Sequence, residues 1–212
     1  MARCCNLVSE TMKRRLFLVI VGSFLLGSLI GVGALILGQQ SPRQNRVITS
    51  GQALIGGPFE LVGKDGKTVT DKDFRGRYML VFFGFTHCPD ICPAELQVMS
   101  AALDDLGAKA DRVVPVFITV DPERDTPELM SAYVANFGPN FVGLTGSPEA
   151  IAKAAKAYRV TYQKFPDENS GENSSVDHSA LLYLLGPNGE FVTHFPYGTS
   201  PEKMAETLRR LL

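Results

Sequence analysis

Apolar positions along this chain fall into blocks of two periods, and the blocks mark its elements. Tyr78–Phe85 is a nearly unbroken aliphatic and aromatic run interrupted by Gly84. That pattern predicts a central strand covered on both faces. Val113–Val120 (VVPVFITV) repeats it. Ala180–Leu185 and Glu190–Phe195 read as a third and fourth strand joined across Gly186-Pro187-Asn188-Gly189, a strong turn signal. Pro58–Thr70 reads as a small hairpin turning at Asp65-Gly66. Asp71–Arg77 is a connector, and Phe141–Leu144 and Val160–Phe165 are short extended segments.

Between the strands the spacing changes to three and four residues. Leu96, Met99 and Leu103 place one apolar face on a helix that starts near Ile91 and ends near Gly107. Thr126-Pro127 supplies an N-cap and first helical residue. Leu129, Tyr133, Val134 and Phe137 form the expected face of that second helix, and Gly138-Pro139 stops it. Ser147-Pro148-Glu149 opens a third helix reaching Tyr158. Ser200-Pro201-Glu202 opens a fourth, with Met204, Leu208 and Leu211 on one side. Pro166–Ser175 is polar and lacks apolar anchors, so a mobile loop is expected there. A β-α-β half followed by a β-β-α half predicts an α/β, thioredoxin-like fold with an N-terminal β-hairpin.

The first part of the chain has another character. Leu16–Leu37 is uncharged and apolar. At about 1.5 Å per residue it spans roughly 30 Å, the thickness of a bilayer core. Lys13-Arg14-Arg15 immediately precedes it, so the N-terminus is expected to stay cytoplasmic. An A-x-A-like cleavage site is missing, which favours an uncleaved anchor over a signal peptide. The expected organisation is a cytoplasmic N-terminus at 1–15, a single transmembrane helix at 16–37, a polar tether at 38–57 and one domain at 58–212. The expected location is a bacterial inner membrane with the C-terminal domain in the periplasm. Cys4 and Cys5 fall on the cytoplasmic side of the anchor.

Composition adds little to this except by exclusion. The chain has 212 residues, 45% of them hydrophobic, and a net charge of −1. Up to Leu37 there are four basic residues against Glu10, which leaves 17 basic and 21 acidic residues beyond. The mildly acidic domain has no footprint for nucleic acid.

Cys88 and Cys92 lie where the first central strand runs through Thr86–Asp90 into the first helix. The end of a central strand is where ligands collect in open α/β sheets. A helical first turn would put both sulfurs on one face, at a positive dipole end that favours thiolate. A bridge across three intervening residues constrains little of the unfolded chain, so redox or soft-metal chemistry explains the spacing better than a structural disulfide. His178, between the polar loop and the strand Ala180–Leu185, is the candidate third ligand. In a thioredoxin-like fold that point faces the cysteine turn. Two thiolates and an imidazole suit Cu(I), and also Cu(II) with a further oxygen donor. Structural zinc would want four protein ligands, and no clear fourth is present. His87, in a tight turn, and His194, alternating with Val192 on the last strand, are weaker candidates. Asp90, Asp121 and Asp177 are candidate lining residues, with turn and cap chemistry as their ordinary alternative.

GFTHCPDICPAEL, VDPERDTPELMSAYVANF, GLTG and VDHSALLYLLGPNGEF resemble the SCO/SenC family of membrane-tethered copper proteins, from about Gly51 onward. The resemblance implies a thioredoxin-like fold and copper held by Cys88, Cys92 and His178. It also implies a role in assembling the dinuclear copper centre of cytochrome c oxidase. Expected partners are therefore the copper-bearing oxidase subunit, an upstream copper donor, a thiol reductant and the membrane. Three functions remain open on sequence: copper metallochaperone, thiol-disulfide oxidoreductase acting on the oxidase subunit or another copper protein, and a peroxide-reducing enzyme. The last has no evident need for His178.

Overall fold

The computed structural model describes residues 55–165, 175–178 and 180–212, with backbone alone at 164–165 and 175–178. These residues belong to one compact unit, Ala53–Leu212. The expected anchor, the tether, Cys4, Cys5 and residues 166–174 of the polar loop lie outside the described residues. Among the described residues, no helix is long and apolar enough to cross a membrane.

The core is built on two strands that are buried along almost their whole length. β3 (Tyr78–Gly84) and β4 (Val113–Thr119) pair in parallel, with Phe82 opposite Phe117 and Gly84 opposite Thr119. Their continuous apolar runs are explained by layers packed on both faces. β5 (Val142–Leu144) joins β4 in parallel, and β8 (Leu181–Leu185) and β9 (Phe191–Pro196) continue antiparallel from β3. The resulting sheet has the order β5-β4-β3-β8-β9. β1 (Glu60–Val62) and β2 (Thr68–Thr70) form the expected hairpin. Asp65 adopts the left-handed conformation at its turn, with φ +59°, a region that Asp tolerates better than most residues.

Alternation along the strands sorts the helices. Phe82, Gly84 and Phe117 face α1 (Ile91–Leu106) and α2 (Pro127–Val134), since Phe117 packs on Tyr133 and Gly84 approaches Cys92. Phe83 points the other way, onto Tyr158 at the end of α3 (Pro148–Ala157), with ring centroids 5.3 Å apart. α4 (Pro201–Leu211) packs against α1. Thr126, Ser147 and Ser200 cap their helices as expected, each side chain accepting from the backbone N–H three residues on. This mixed α/β architecture agrees with the expected class.

Two apolar positions depart from the expected faces. Leu129 and Leu211 are exposed. In α2 it is Met130 and Val134, one turn apart, that are buried, because the helix ends at Val134 and only that stripe meets the sheet. In α4 the buried stripe is Met204, Ala205 and Leu208, and Leu211 lies past it in the last turn. A third departure is an added ladder. β6 (Tyr162–Phe165) pairs antiparallel with β7 (Ser175–His178), and Tyr162 lies opposite His178. The polar composition of residues 166–175 gave no sign of that pairing.

Candidate functional site

β3 ends at Gly84, and the chain turns through Phe85–Asp90 before α1 begins at Ile91. Cys88 therefore lies in the turn and not on the helix, which corrects the expectation of two sulfurs one helical turn apart. Cys92 occupies the first turn of α1. The backbone N–H of Cys92 donates to Cys88 Sγ at 3.4 Å, so an N–H of the helix start is directed at the Cys88 sulfur. The two thiols are unbridged, Cys88 half-buried and Cys92 fully buried. The neighbouring Cys88 sulfur and, after it, burial push the Cys92 thiol well above the ordinary thiol range, against a backbone hydrogen bond from Phe85. The metal-free site therefore favours a neutral thiol at Cys92.

Gly84 makes room for the buried sulfur. A Cβ at that position would stand 2.7 Å from Cys92 Sγ and 2.7 Å from Cε2 of Phe117. Below about 3 Å something must shift, so the residue type here is set by the close approach of the sulfur and the aromatic wall. Tyr133 extends that wall, its ring 5.7 Å from Phe117 and edge-on to Phe137 at 5.5 Å.

The turn is fixed from below by a carboxylate. Asp125 is fully buried and accepts from the Thr86 N–H, the Thr86 hydroxyl and the Thr119 hydroxyl at 3.1, 2.5 and 2.6 Å. Thr119 in turn accepts from the Asp121 N–H at 2.9 Å. The buried Asp121 pairs with Arg124, whose guanidinium lies 6.0 Å from the Phe85 ring centre. Asp121 thus holds the loop after β4. Sequence reasoning alone does not single out Asp125. Its one legible signal is an acidic residue directly before the Thr126 cap, at the end of a central strand.

The remaining candidates separate. His87 is exposed, with Nδ1 3.1 Å from Thr86 Oγ1 and 3.8 Å from Asp125 Oδ1. Asp90 is exposed and precedes α1 without a side-chain capping bond. His194 is exposed on β9, stacked 6.4 Å from Phe191. Asp177 and His178 are described by backbone alone, on β7, and the side chain of His178 lies outside the described residues. Among the described residues, no three His, Cys, Asp or Glu side chains are grouped to hold a metal.

Two unbridged cysteines thus stand at the end of a buried parallel strand. The family model for SCO1/SenC matches residues 48–212. The chain belongs to the SCO1/SenC family. This SCO1/SenC chain is 49% identical over 148 residues to the mitochondrial SCO1 homolog 1 of Arabidopsis thaliana, covering 69% of the chain and 44% of that protein. It spans less than half the length of that curated relative. Among solved structures it is similar to Bradyrhizobium japonicum ScoI with copper bound. That match has 46% identity and a TM-score of 0.68, and covers 74% of this chain and 99% of that one. It is also similar to BsSco, described as a member of the Sco family of cytochrome c oxidase assembly proteins with a disulfide switch. There the identity is 25% and the TM-score 0.58, over 75% and 94% of the two chains.

Proposed function

We propose that this chain is a membrane-anchored copper metallochaperone. It takes copper on the sulfurs of Cys88 and Cys92 and the imidazole of His178. It then delivers copper to, or prepares, the dinuclear copper centre of cytochrome c oxidase. The observation that carries this reading is the Cys92 N–H donating to Cys88 Sγ, which brings two unbridged cysteines together at the mouth of α1, in a chain whose relatives include copper-bound Sco structures. The donor set fits the cargo. Thiolates are soft and suit Cu(I), while an imidazole adds a nitrogen that Cu(II) values more. Taking up the metal releases the thiol protons.

The protein supplies a half-site on a fixed frame. Cys88 and Cys92 are set by β3, α1 and the Asp125 clip, whereas His178 ends the short β7, which pairs only with β6 among the described strands. A ligand on a peripheral ladder can join last and leave first, which suits transfer by ligand exchange. The apolar segment Leu16–Leu37 and its basic flank support an inner-membrane tether and a periplasmic domain. There an upstream copper donor and a thiol reductant complete the cycle.

Titration of the reduced chain with Cu(I) against a competing chelator tests the reading. One tightly held copper per chain is expected, lost when Cys88 and Cys92 are oxidised and regained on reduction. Equal Cu(I) affinity in a verified disulfide form would remove it.

A second reading, thiol-disulfide oxidoreductase, is favoured by one asymmetry. Cys88 is half-buried and Cys92 fully buried, the arrangement of an attacking and a resolving thiol. Cys88 would attack a partner disulfide, and Cys92 would displace the mixed disulfide. Two electrons and two protons pass to the partner, leaving a Cys88–Cys92 bridge.

A further inference from the structure

Among the described strands, β6 and β7 pair only with each other. A two-stranded ladder is marginal by itself and needs packing against a body. Of the ladder's two described side chains, Tyr162 is half-buried against the hydrophobic core and Gln163 is exposed. Alternation along the strand makes the Tyr162 face the one that meets the body and the Gln163 face the one that meets solvent. Register then sorts the residues opposite. His178 pairs with Tyr162, and Asp177 with Gln163. Residues directly opposite in an antiparallel pair share a face, with Cβ atoms ~5 Å apart. His178 therefore stands on the body side of the ladder, at the register position of the anchored ring. The end of the molecule agrees as well. Leu182 pairs antiparallel with Phe82 and Leu185 with Met79, so the chain enters β8 from the Gly84 end of β3. That is the end from which the turn bearing Cys88 departs.

We propose that Tyr162 is a positioning residue for the third copper ligand: its ring docks the β6–β7 ladder on the core and so sets where His178 stands. The proposal rests on the copper reading above and names what holds the ligand that joins last and leaves first. Main-chain pairing ties His178 to Tyr162, and the ring ties the ladder to the body. Loss of the ring frees His178 without disturbing the cysteine turn, which β3, α1 and the Asp125 clip hold separately. Packing is the property required, so phenylalanine serves as well as tyrosine. Tyr162 acts through His178 and touches no cargo.

The test uses the reduced full chain as wild type, Tyr162→Ala, Tyr162→Phe and His178→Ala. Amide hydrogen exchange is measured without metal. In Tyr162→Ala the β7 amides are expected to exchange about tenfold faster, with β3 and β4 unchanged, while Tyr162→Phe keeps the wild-type pattern. Copper affinities follow. Tyr162→Ala is expected to lower Cu(II) affinity about tenfold, as loss of a ligand's support does, with a smaller change for Cu(I). Unchanged β7 exchange in Tyr162→Ala overturns the proposal. So does faster exchange spread over β3 and β4, since the tyrosine would then be a general packing residue. Wild-type Cu(II) affinity in Tyr162→Ala, where His178→Ala has lost it, overturns it too. Failure of wild type to bind copper, or wild-type Cu(II) binding in His178→Ala, removes the ligand reading instead, and the exchange of β7 still decides whether Tyr162 docks the ladder.

Discussion

Asp125 and Thr86 are joined by two hydrogen bonds, from the Thr86 N–H at 3.1 Å and from its hydroxyl at 2.5 Å, onto one fully buried carboxylate. The contact links the exit of β3 to the loop after β4, two residues before Cys88. Asp125→Ala strands those donors and the Thr119 hydroxyl, and is expected to cost about 3 kcal/mol of stability. Asp125→Asn keeps the shape but turns an amide N–H₂ toward other donors, so a smaller loss is expected. Urea unfolding of the metal-free chains checks both. Wild-type stability in Asp125→Ala would show that the clip does not hold the turn.

Gly84→Ala probes the close approach of the sulfur. The added methyl would meet Cys92 Sγ and the Phe117 ring at 2.7 Å, and both sit in a packed core. A loss of about 1–3 kcal/mol is expected from the forced shift, together with weaker copper binding because the displaced sulfur is a proposed ligand. Stability and Cu(I) affinity both equal to wild type would mean that the pocket has slack the geometry does not suggest.

Glu95 gives a pH signature independent of the sulfurs. It lies one turn beyond Cys92, buried, with Oε1 accepting from the Gly198 N–H at 3.2 Å and Oε2 without a partner among the described residues. Burial raises its pKa above the ordinary 4.5, and the Gly198 bond only partly opposes this. The folded chain therefore holds this proton more tightly than the unfolded chain. That preference favours folding below the ordinary glutamate range, and it is lost as pH rises through the raised folded value. Glu95→Gln cannot ionise, so its stability relative to wild type is expected to improve from pH 4 to pH 7. Melting temperatures across that range check it, and a constant difference between the two chains would contradict the assignment.

The three proposed ligands divide their work by softness. Cys88→Ser and Cys92→Ser are each expected to abolish the disulfide and to weaken Cu(I) and Cu(II) binding by orders of magnitude. His178→Ala is expected to leave the disulfide intact, retain weakened Cu(I) binding and lose more for Cu(II). Copper affinities, read beside oxidase activity in cells, separate the two functional readings. Loss of oxidase copper in all three variants supports chaperoning. Activity lost only in the cysteine variants supports thiol exchange, and wild-type copper binding in His178→Ala would remove that residue from the ligand set.

The sequence alone determined the parts that depend on a few neighbouring residues. The β-branched and aromatic runs at Tyr78–Phe85 and Val113–Val120, too short for long helices, marked buried strands. Thr126-Pro127, Ser147-Pro148 and Ser200-Pro201 located three helix starts through capping that acts within one turn. They also put Cys88 and Cys92 at the end of a central strand. Tertiary structure decided what depends on residues brought together from far apart. Whether Cys88 belongs to the helix was settled by the turn that Asp125 holds, 39 positions after Thr86. That Met130 and not Leu129 is buried followed from which stripe of a short helix meets the sheet. The close approach of Cys92 to Gly84 and the pairing of Tyr162 with His178 have no local signature. Each arises when separate elements pack, and periodicity records which face of an element is apolar without recording what that face will meet.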